Sequence, residues 1–283
     1  MITHFSNFVN GGAYFMSEKR INLFGVEIDD VSLSQCSALA QEGLQSGEKR
    51  VFFTPNLEML SGAKKSDGIC RVLNSADVSL PDGFGIRIVS FLLGREVKNT
   101  APGIDFGEEL LKMANECGYK VFLLGGKDGI APKAAKNIKS RYKNIEICGT
   151  HTGYFLCSEE DMICKKINSS GADILFVCRG FPRQESFAAR SRHKLYSVKV
   201  IACLGGTLDV WAGVSKRAPA PIRKMHLEWL WRIANDKSGD RLQRFISSLP
   251  VLFNALIIYF KNILAKIRIK SGVCAYNRTD ANS

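Results

Sequence analysis

Five short segments of this 283-residue chain carry residue types able to hold or activate a phosphate-bearing substrate. Leu80-Pro81-Asp82-Gly83-Phe84-Gly85 puts a carboxylate in a turn punctuated by Pro and Gly, so Asp82 is either a general base or a turn residue. Thr54-Pro55-Asn56 follows the apolar run Val51-Phe52-Phe53. Pro55 ends a strand there, and Asn56 either caps the next helix or, with Thr54, faces a ligand. Gly125 and Gly126 open a Gly-Gly-x-x-Gly loop between a strand and a helix, where backbone amides approach phosphate or simply turn. The spacing is neither the dinucleotide fingerprint nor a P-loop. Arg179, Arg183, Gln184 and Glu185 lie together after an apolar run, as a diphosphate clamp or as a solvated basic loop. A second glycine pair, Gly205-Gly206, leads into Thr207 and Asp209.

The four histidines form no pair with a carboxylate at metal spacing, and no Asp-x-Asp occurs. The sequence therefore calls for no metal and no cofactor. Any leaving diphosphate would have to be stabilised by cationic side chains.

These segments share one position, the ends of expected strands. Strands are expected at Ile21–Ile28, Arg50–Thr54, Asp77–Leu80, Lys120–Leu124, Ile145–Gly149, Asp173–Cys178 and Val198–Cys203. Amphipathic helices are expected between them at Leu33–Gln45, Glu58–Asn74, Gly107–Cys117, Ala131–Tyr142, Glu159–Ser169 and Gln184–Lys194. Such alternation predicts an α/β fold, a Rossmann-like, mostly parallel sheet with flanking helices. Ligands of such sheets collect at the carboxyl ends of the strands.

The chain's charge is concentrated in its last quarter. Residues 214–270 hold twelve Lys or Arg against Glu228, Asp236 and Asp240, which is +9 of the net +12. Within that stretch Phe245 to Phe260 is uncharged. The run is short for a bilayer span and is broken by Ser247, Ser248, Pro250 and Asn254, so it is read as interfacial or packed. The organisation expected is an N-terminal extension over 1–20, an α/β domain over 21–213, a basic helical C-terminal appendage over 214–270 and a disordered tail over 271–283. Nine cysteines without a Cys-x-x-Cys pair point to free thiols in a reducing cytoplasm. No cleavable signal is evident at the N-terminus.

In order along the chain, Thr-Pro-Asn (54–56), Pro-Asp-Gly-x-Gly (81–85), Gly-Ile-Asp (103–105) and Phe-Leu-Leu-Gly-Gly (122–126) form one series. Gly-Thr-His-x-Gly-Tyr-Phe (149–155), Pro-x-Gln-Glu (182–185), Gly-Gly-Thr-x-Asp (205–209), Lys-Arg-Ala-Pro (216–219) and Leu-Glu-Trp-Leu (227–230) continue it. The set resembles the WecG/TagA/CpsF family of bacterial glycosyltransferases, from about Ile21 to Phe245. The resemblance implies inverting, metal-independent transfer of a sugar, N-acetylmannosamine or a related hexose, from a UDP-sugar donor to a polyprenyl-diphosphate-linked acceptor. It places the enzyme in the cytoplasm, peripheral on the inner face of the membrane. It makes Asp82 the general base and puts Thr54, Asn56 and Gln184 in the pocket, with Gly125 and Gly126 beside the nucleotide. Arg223, Arg232, Arg241 and Arg244 become the candidates for holding diphosphate and lipid. Arg179, Glu185, Gly206 and Asp209 complete the expected substrate-binding set.

One departure bears on the chemistry: many members carry Arg where this chain has Thr100. Arg179 is the candidate substitute for that charge, and Phe181 departs from the commoner small residue in its loop. Three other readings compete. A nicotinamide-dependent oxidoreductase lacks its fingerprint here, and a scaffold that has lost activity is a minority alternative prompted by Thr100. A nucleic-acid binder fits poorly, because Phe, Leu and Ile interleave the basic tail with few aromatic–basic pairs; no nucleic acid is expected as partner. An anionic membrane surface is expected instead, and a homo-oligomer is compatible with the sequence.

Overall fold

A computed structural model describes residues 20–225, 227–236 and 239–279. The chain opens with two short antiparallel strands, β1 (Ile21–Leu23) and β2 (Val26–Ile28), where the sequence predicts one continuous strand. Phe24 and Gly25 both take positive φ, 53° and 91°, which is what a two-residue hairpin turn demands and a strand cannot accommodate.

The body then alternates as expected. In order come α1 (Leu33–Ser46), β3 (Arg50–Phe53), α2 (Leu57–Lys65), α3 (Asp67–Leu73), β4 (Val78–Ser79) and α4 (Phe84–Leu92). They are followed by α5 (Gly103–Cys117), β5 (Lys120–Gly125), α6 (Ile130–Arg141), β6 (Glu146–His151), α7 (Glu160–Ser169) and β7 (Ile174–Cys178). The series ends with α8 (Arg183–Ser191), β8 (Val200–Cys203), α9 (Thr207–Trp211), α10 (Ala220–Lys224), α11 (Glu228–Ala234) and α12 (Asp240–Thr279). Strands β4-β3-β8-β7-β5-β6 form one parallel sheet in that order.

Successive strand residues alternate between two buried layers, as the pleat requires. Phe52, Leu123, Phe176 and Ala202 face α1, α5 and α6, while Phe53, Leu124, Val177 and Cys203 face α2, α4, α7 and α8. Cys178 and Cys203 are buried free thiols.

Three helical differences matter for the site. The stretch expected as one helix over 58–74 breaks at Ser66, whose extended backbone (φ −151°, ψ 117°) ends α2 while its hydroxyl accepts from the Ile69 N–H to start α3. Helix α4 is absent from the sequence reading; its nine residues are mostly apolar, and a short apolar run suits strand and helix alike. Helix α5 begins at Gly103, four residues before the expected start, so Gly103-Ile104-Asp105 forms its first turn.

Helix α12 is a single helix through Pro250 and on to Thr279, where the sequence reading places a disordered tail from residue 271; a lone Gly272 weakens a helix without ending it. Its stretch Asp240–Ile267 contains an 18-residue window of mean hydropathy 1.5 and is long and apolar enough to cross a membrane by length and composition. One face of it is part of the body. Val251 and Ala255 are buried in the layer of α2 and α4, Ser248 is buried, and the Ser61 hydroxyl donates to the Ser247 carbonyl at 3.0 Å. The opposite face exposes Phe253, Ile257, Phe260 and Leu264.

Candidate active site

All five chemistry-bearing loops emerge on the carboxyl rim of the sheet. Parallel pairing puts the ends of β4, β3, β8, β7 and β5 side by side, so order in the sheet sets the neighbours.

At the β4 end, Asp82 is half-buried. Its N–H donates to the Pro55 carbonyl at 3.2 Å, tying the Asp82 loop to the Thr54-Pro55-Asn56 loop. Its carboxylate accepts from the N–H of Gly103, the first residue of α5, where unsatisfied amides favour negative charge. A Cβ on Gly103 would sit 3.0 Å from the Thr54 side chain, so this position is tightly confined. Burial pushes the Asp82 carboxyl up to about 6. The Arg232 guanidinium opposes that rise, Glu228 adds to it, the Gly103 hydrogen bond opposes it and Asp105 adds to it. A carboxylate of that acidity is ionised at neutral pH yet basic enough to accept a proton from a sugar hydroxyl. Thr100 stands beside this loop, next to Ala101, whose N–H donates to the Pro81 carbonyl at 3.0 Å.

At the ends of β3 and β8 lie Thr54, Asn56, Gln184, Glu185 and the Gly205-Gly206 turn. The buried Thr54 hydroxyl donates to the Cys203 carbonyl at 3.1 Å. Asn56 caps α2, its side chain accepting from the Met59 N–H at 3.2 Å. Gln184 accepts from the Gly205 N–H at 3.0 Å and donates to Glu185 at 2.7 Å. Glu58, in the first turn of α2, faces the same region; burial raises its pKa and Arg244 lowers it. Glu58 is absent from the set expected from sequence, where its one signal is its place two residues after Asn56.

The basic appendage lies across this rim. Arg232 faces Asp82 while it also grips Glu228 at 2.6 Å, Arg244 faces Glu58, and Arg241 faces Asp209. Asp209 is raised by burial and lowered by Arg241 and then Lys127. Arg223 is half-buried, with its Nε lacking a protein partner. Arg217, from the Lys-Arg-Ala-Pro segment, pairs with Asp105 and so fastens the appendage to the helix whose first amide holds Asp82. That latch is not legible from charge alone, because it joins positions 112 residues apart.

The ends of β5 and β7 are built differently. A Cβ on Gly125 would lie 2.2 Å from the Cys178 carbonyl oxygen, so this glycine permits close approach of two strand ends. The Gly126 N–H donates to Cys178 O at 3.1 Å, and its carbonyl accepts from the Gly153 N–H at 2.9 Å. The Gly126 N–H is therefore already used within the protein. Arg179 donates to the carbonyls of Gly153 (2.8 Å) and Phe155 (3.0 Å), and its guanidinium stacks 3.4 Å over the Phe155 ring. It therefore braces the loop after β6. Beside it opens a concave pocket of about 320 Å³, whose lining includes Tyr154, Leu156, Glu159 and Arg183. Arg183 lies 5.4 Å from the centre of the exposed Tyr154 ring.

The family model described as glycosyl transferase WecG/TagA/CpsF family matches residues 21–264. The chain is 35% identical over 183 residues to an N-acetylglucosaminyldiphosphoundecaprenol N-acetyl-beta-D-mannosaminyltransferase of Bacillus subtilis strain 168, covering 65% of this chain and 70% of that protein. It is 33% identical to the protein of the same description in Bacillus spizizenii, over 86% of this chain and 91% of the other. The Staphylococcus aureus strain MRSA252 counterpart is 30% identical, over 89% and 95%.

Proposed function

The chain belongs to the WecG/TagA/CpsF family of glycosyltransferases, and we propose that it moves N-acetylmannosamine or a related hexose from a UDP-sugar to a sugar carried on polyprenyl diphosphate. The observation that carries this reading is Asp82, poised near pH 6 at a strand end beneath the arginines of α11 and α12. In the proposed step the acceptor hydroxyl oxygen attacks the anomeric carbon, its proton passes to Asp82, and the bond to UDP breaks on the opposite face. A single displacement of this kind inverts the anomeric centre. Arg232, Arg241 and Arg244 would balance the charge that develops on the departing diphosphate. General-base help of this sort is worth about 10²–10⁴-fold in rate.

The acceptor's lipid puts the reaction at a membrane surface, and α12 offers the means to reach it. Its exposed apolar stripe is flanked by Lys261 and Lys266, and juxtamembrane cations contribute on the order of 1 kcal/mol each near anionic lipid. The other face of α12 is committed to the body through Val251 and Ala255, so this stretch lies on the bilayer instead of crossing it. Flotation with anionic vesicles tests the docking. Replacing Phe253 and Phe260 by Ser should abolish it, and unchanged flotation would remove α12 from that role. Deletion after Gly213 is unsuitable, because it strips Val251 and Ala255 from the core.

The chemistry is tested by UDP release from a panel of UDP-sugars with a polyprenyl-diphosphate-N-acetylglucosamine analogue, for the natural chain and Asp82→Asn. Acceptor-dependent release that the substitution removes is the expected result. Release equal in both proteins would refute Asp82 as the base.

A further inference from the structure

Gln184 and Glu185 are both fully buried at the start of α8. Burying a carboxamide beside a carboxyl is costly unless each polar atom finds a partner. Three of the four do so in a fixed order. Glu185 Oε1 accepts from Gln184 Nε2 at 2.7 Å, and Gln184 Oε1 accepts from the Gly205 N–H at 3.0 Å. The fourth, Glu185 Oε2, has no protein partner.

The order has a consequence for the carboxamide. A glutamine amide can be turned over, exchanging oxygen and nitrogen. Turned over here, its NH₂ would oppose the Gly205 N–H, donor against donor, and its oxygen would oppose a carboxyl oxygen. Glu185 excludes that state by accepting from the nitrogen. The Gly205-Gly206 turn, with Gly205 at φ 57°, launches α9 and carries Asp209. The adjoining Cys203 thiol lies 3.6 Å from the Gln184 carbonyl, and the Cys203 carbonyl receives the Thr54 hydroxyl. One knot therefore sets the turn after β8 and the orientation of Thr54.

Resting on the proposed donor site, we propose that Glu185 is a positioning residue: it locks the Gln184 carboxamide, and through it the Gly205-Gly206 turn and Thr54, in the arrangement that receives the sugar-nucleotide. Burial pushes its carboxyl up to about 7, with Gln184 and its own backbone opposing the rise and Glu58 of α2 adding to it. Cys203 of β8 is the other titratable group against it, its thiol raised well above the usual range by burial and then by Glu185. Below pH 7 the knot holds a neutral acid. Above pH 7 it acquires an uncompensated negative charge beneath an anionic donor, and donor affinity falls.

The test compares Glu185→Gln and Glu185→Ala in the full chain, reading kcat, KM for the donor, and UDP affinity by calorimetry from pH 6 to 9. Gln keeps an acceptor oxygen for Gln184 and carries no charge. Glu185→Gln should raise donor KM near neutrality less than Glu185→Ala does, and should lose the rise in donor KM above pH 7 that the natural chain shows. Glu185→Ala should raise donor KM by at least about tenfold, the size of one lost buried hydrogen bond. Equal loss in both variants would overturn the proposal in favour of a charged carboxylate acting in the chemistry. An unchanged KM in both would reduce Glu185 to packing. If the Ala variant fails to fold, the Gln pH profile decides, and a profile identical to the natural chain's refutes the idea. Failure of the underlying donor assignment is separate, since the natural chain itself would then bind no UDP.

Discussion

Around β4, β3 and β8 several buried polar groups lack protein partners or sit at raised pKa, whereas around β5 and β7 the corresponding groups are met within the loops. Burial raises the carboxyls of Asp82, Glu58, Glu185 and Asp209, and Glu185 Oε2 has no protein partner. On the other side Gly126 uses both backbone groups and Arg179 spends its Nε and one Nη on carbonyls. Unmet demand in a folded chain marks where a ligand has work to do, and met demand marks where the chain holds itself. The two sectors look alike as sequence, since each offers glycines and arginines at strand ends.

The largest effect should come from Asp82. Asp82→Asn is expected to lower kcat by about 10²–10⁴-fold. For the natural chain, activity should rise with pH through a midpoint near 6 as the carboxyl ionises. The stability effect has the opposite sign. The folded-state pKa lies above the unfolded value, so the stabilisation from this group is full at low pH and is lost as pH rises toward and through 6. At pH 8 the Asn variant should therefore be the more stable protein, by roughly 1–2 kcal/mol, in a denaturant titration. A less stable variant would mean that Asp82 is a structural acid and that the sector is not strained for function.

Arg232→Ala should come next. Removing this cation takes away the strongest pull holding Asp82 down, so the acid limb of the pH profile should move above 6. Loss of one donor to the departing diphosphate adds a fall in kcat of about 10²-fold. A midpoint that stays at 6 would show that α11 does not sit over Asp82 during turnover.

The sheet and the rim are legible because strand periodicity and Pro/Gly punctuation are local signals. Val51-Phe52-Phe53 before Thr54-Pro55-Asn56 predicts both the strand and its end, and β3 stops at Phe53. What fails is local structure that tertiary contacts decide. The Phe24-Gly25 turn needs a left-handed Phe, a residue rarely found there, and α4 carries an apolar run that suits strand or helix alike. Within the site, Asp82, Thr54 and Gln184 lie at the ends of neighbouring strands, with Arg232 near Asp82, Arg244 near Glu58 and Arg241 near Asp209. The Arg217–Asp105 latch and the approach of Glu58 to Arg244 join distant segments, and no spacing rule reports them.

The smallest catalytic effect is expected at Arg179, and it sharpens the contrast most directly. Its charge makes it the candidate substitute for the arginine missing at Thr100, yet its guanidinium bonds two loop carbonyls and stacks on Phe155. Arg179→Ala removes two hydrogen bonds to neutral acceptors and two cation–π contacts, to Phe155 and Phe187, for a stability loss of about 1–3 kcal/mol. In a chain of this size that lowers Tm by about 5 °C. The loop from Gly153 to Phe155 should loosen, seen as faster amide exchange there, while kcat and donor KM change less than about threefold at temperatures where the variant is folded. A tenfold or greater fall in kcat with Tm unchanged would reverse the assignment. It would make Arg179 the cation that meets the leaving diphosphate, and the division of the rim into a reacting side and a bracing side would fail.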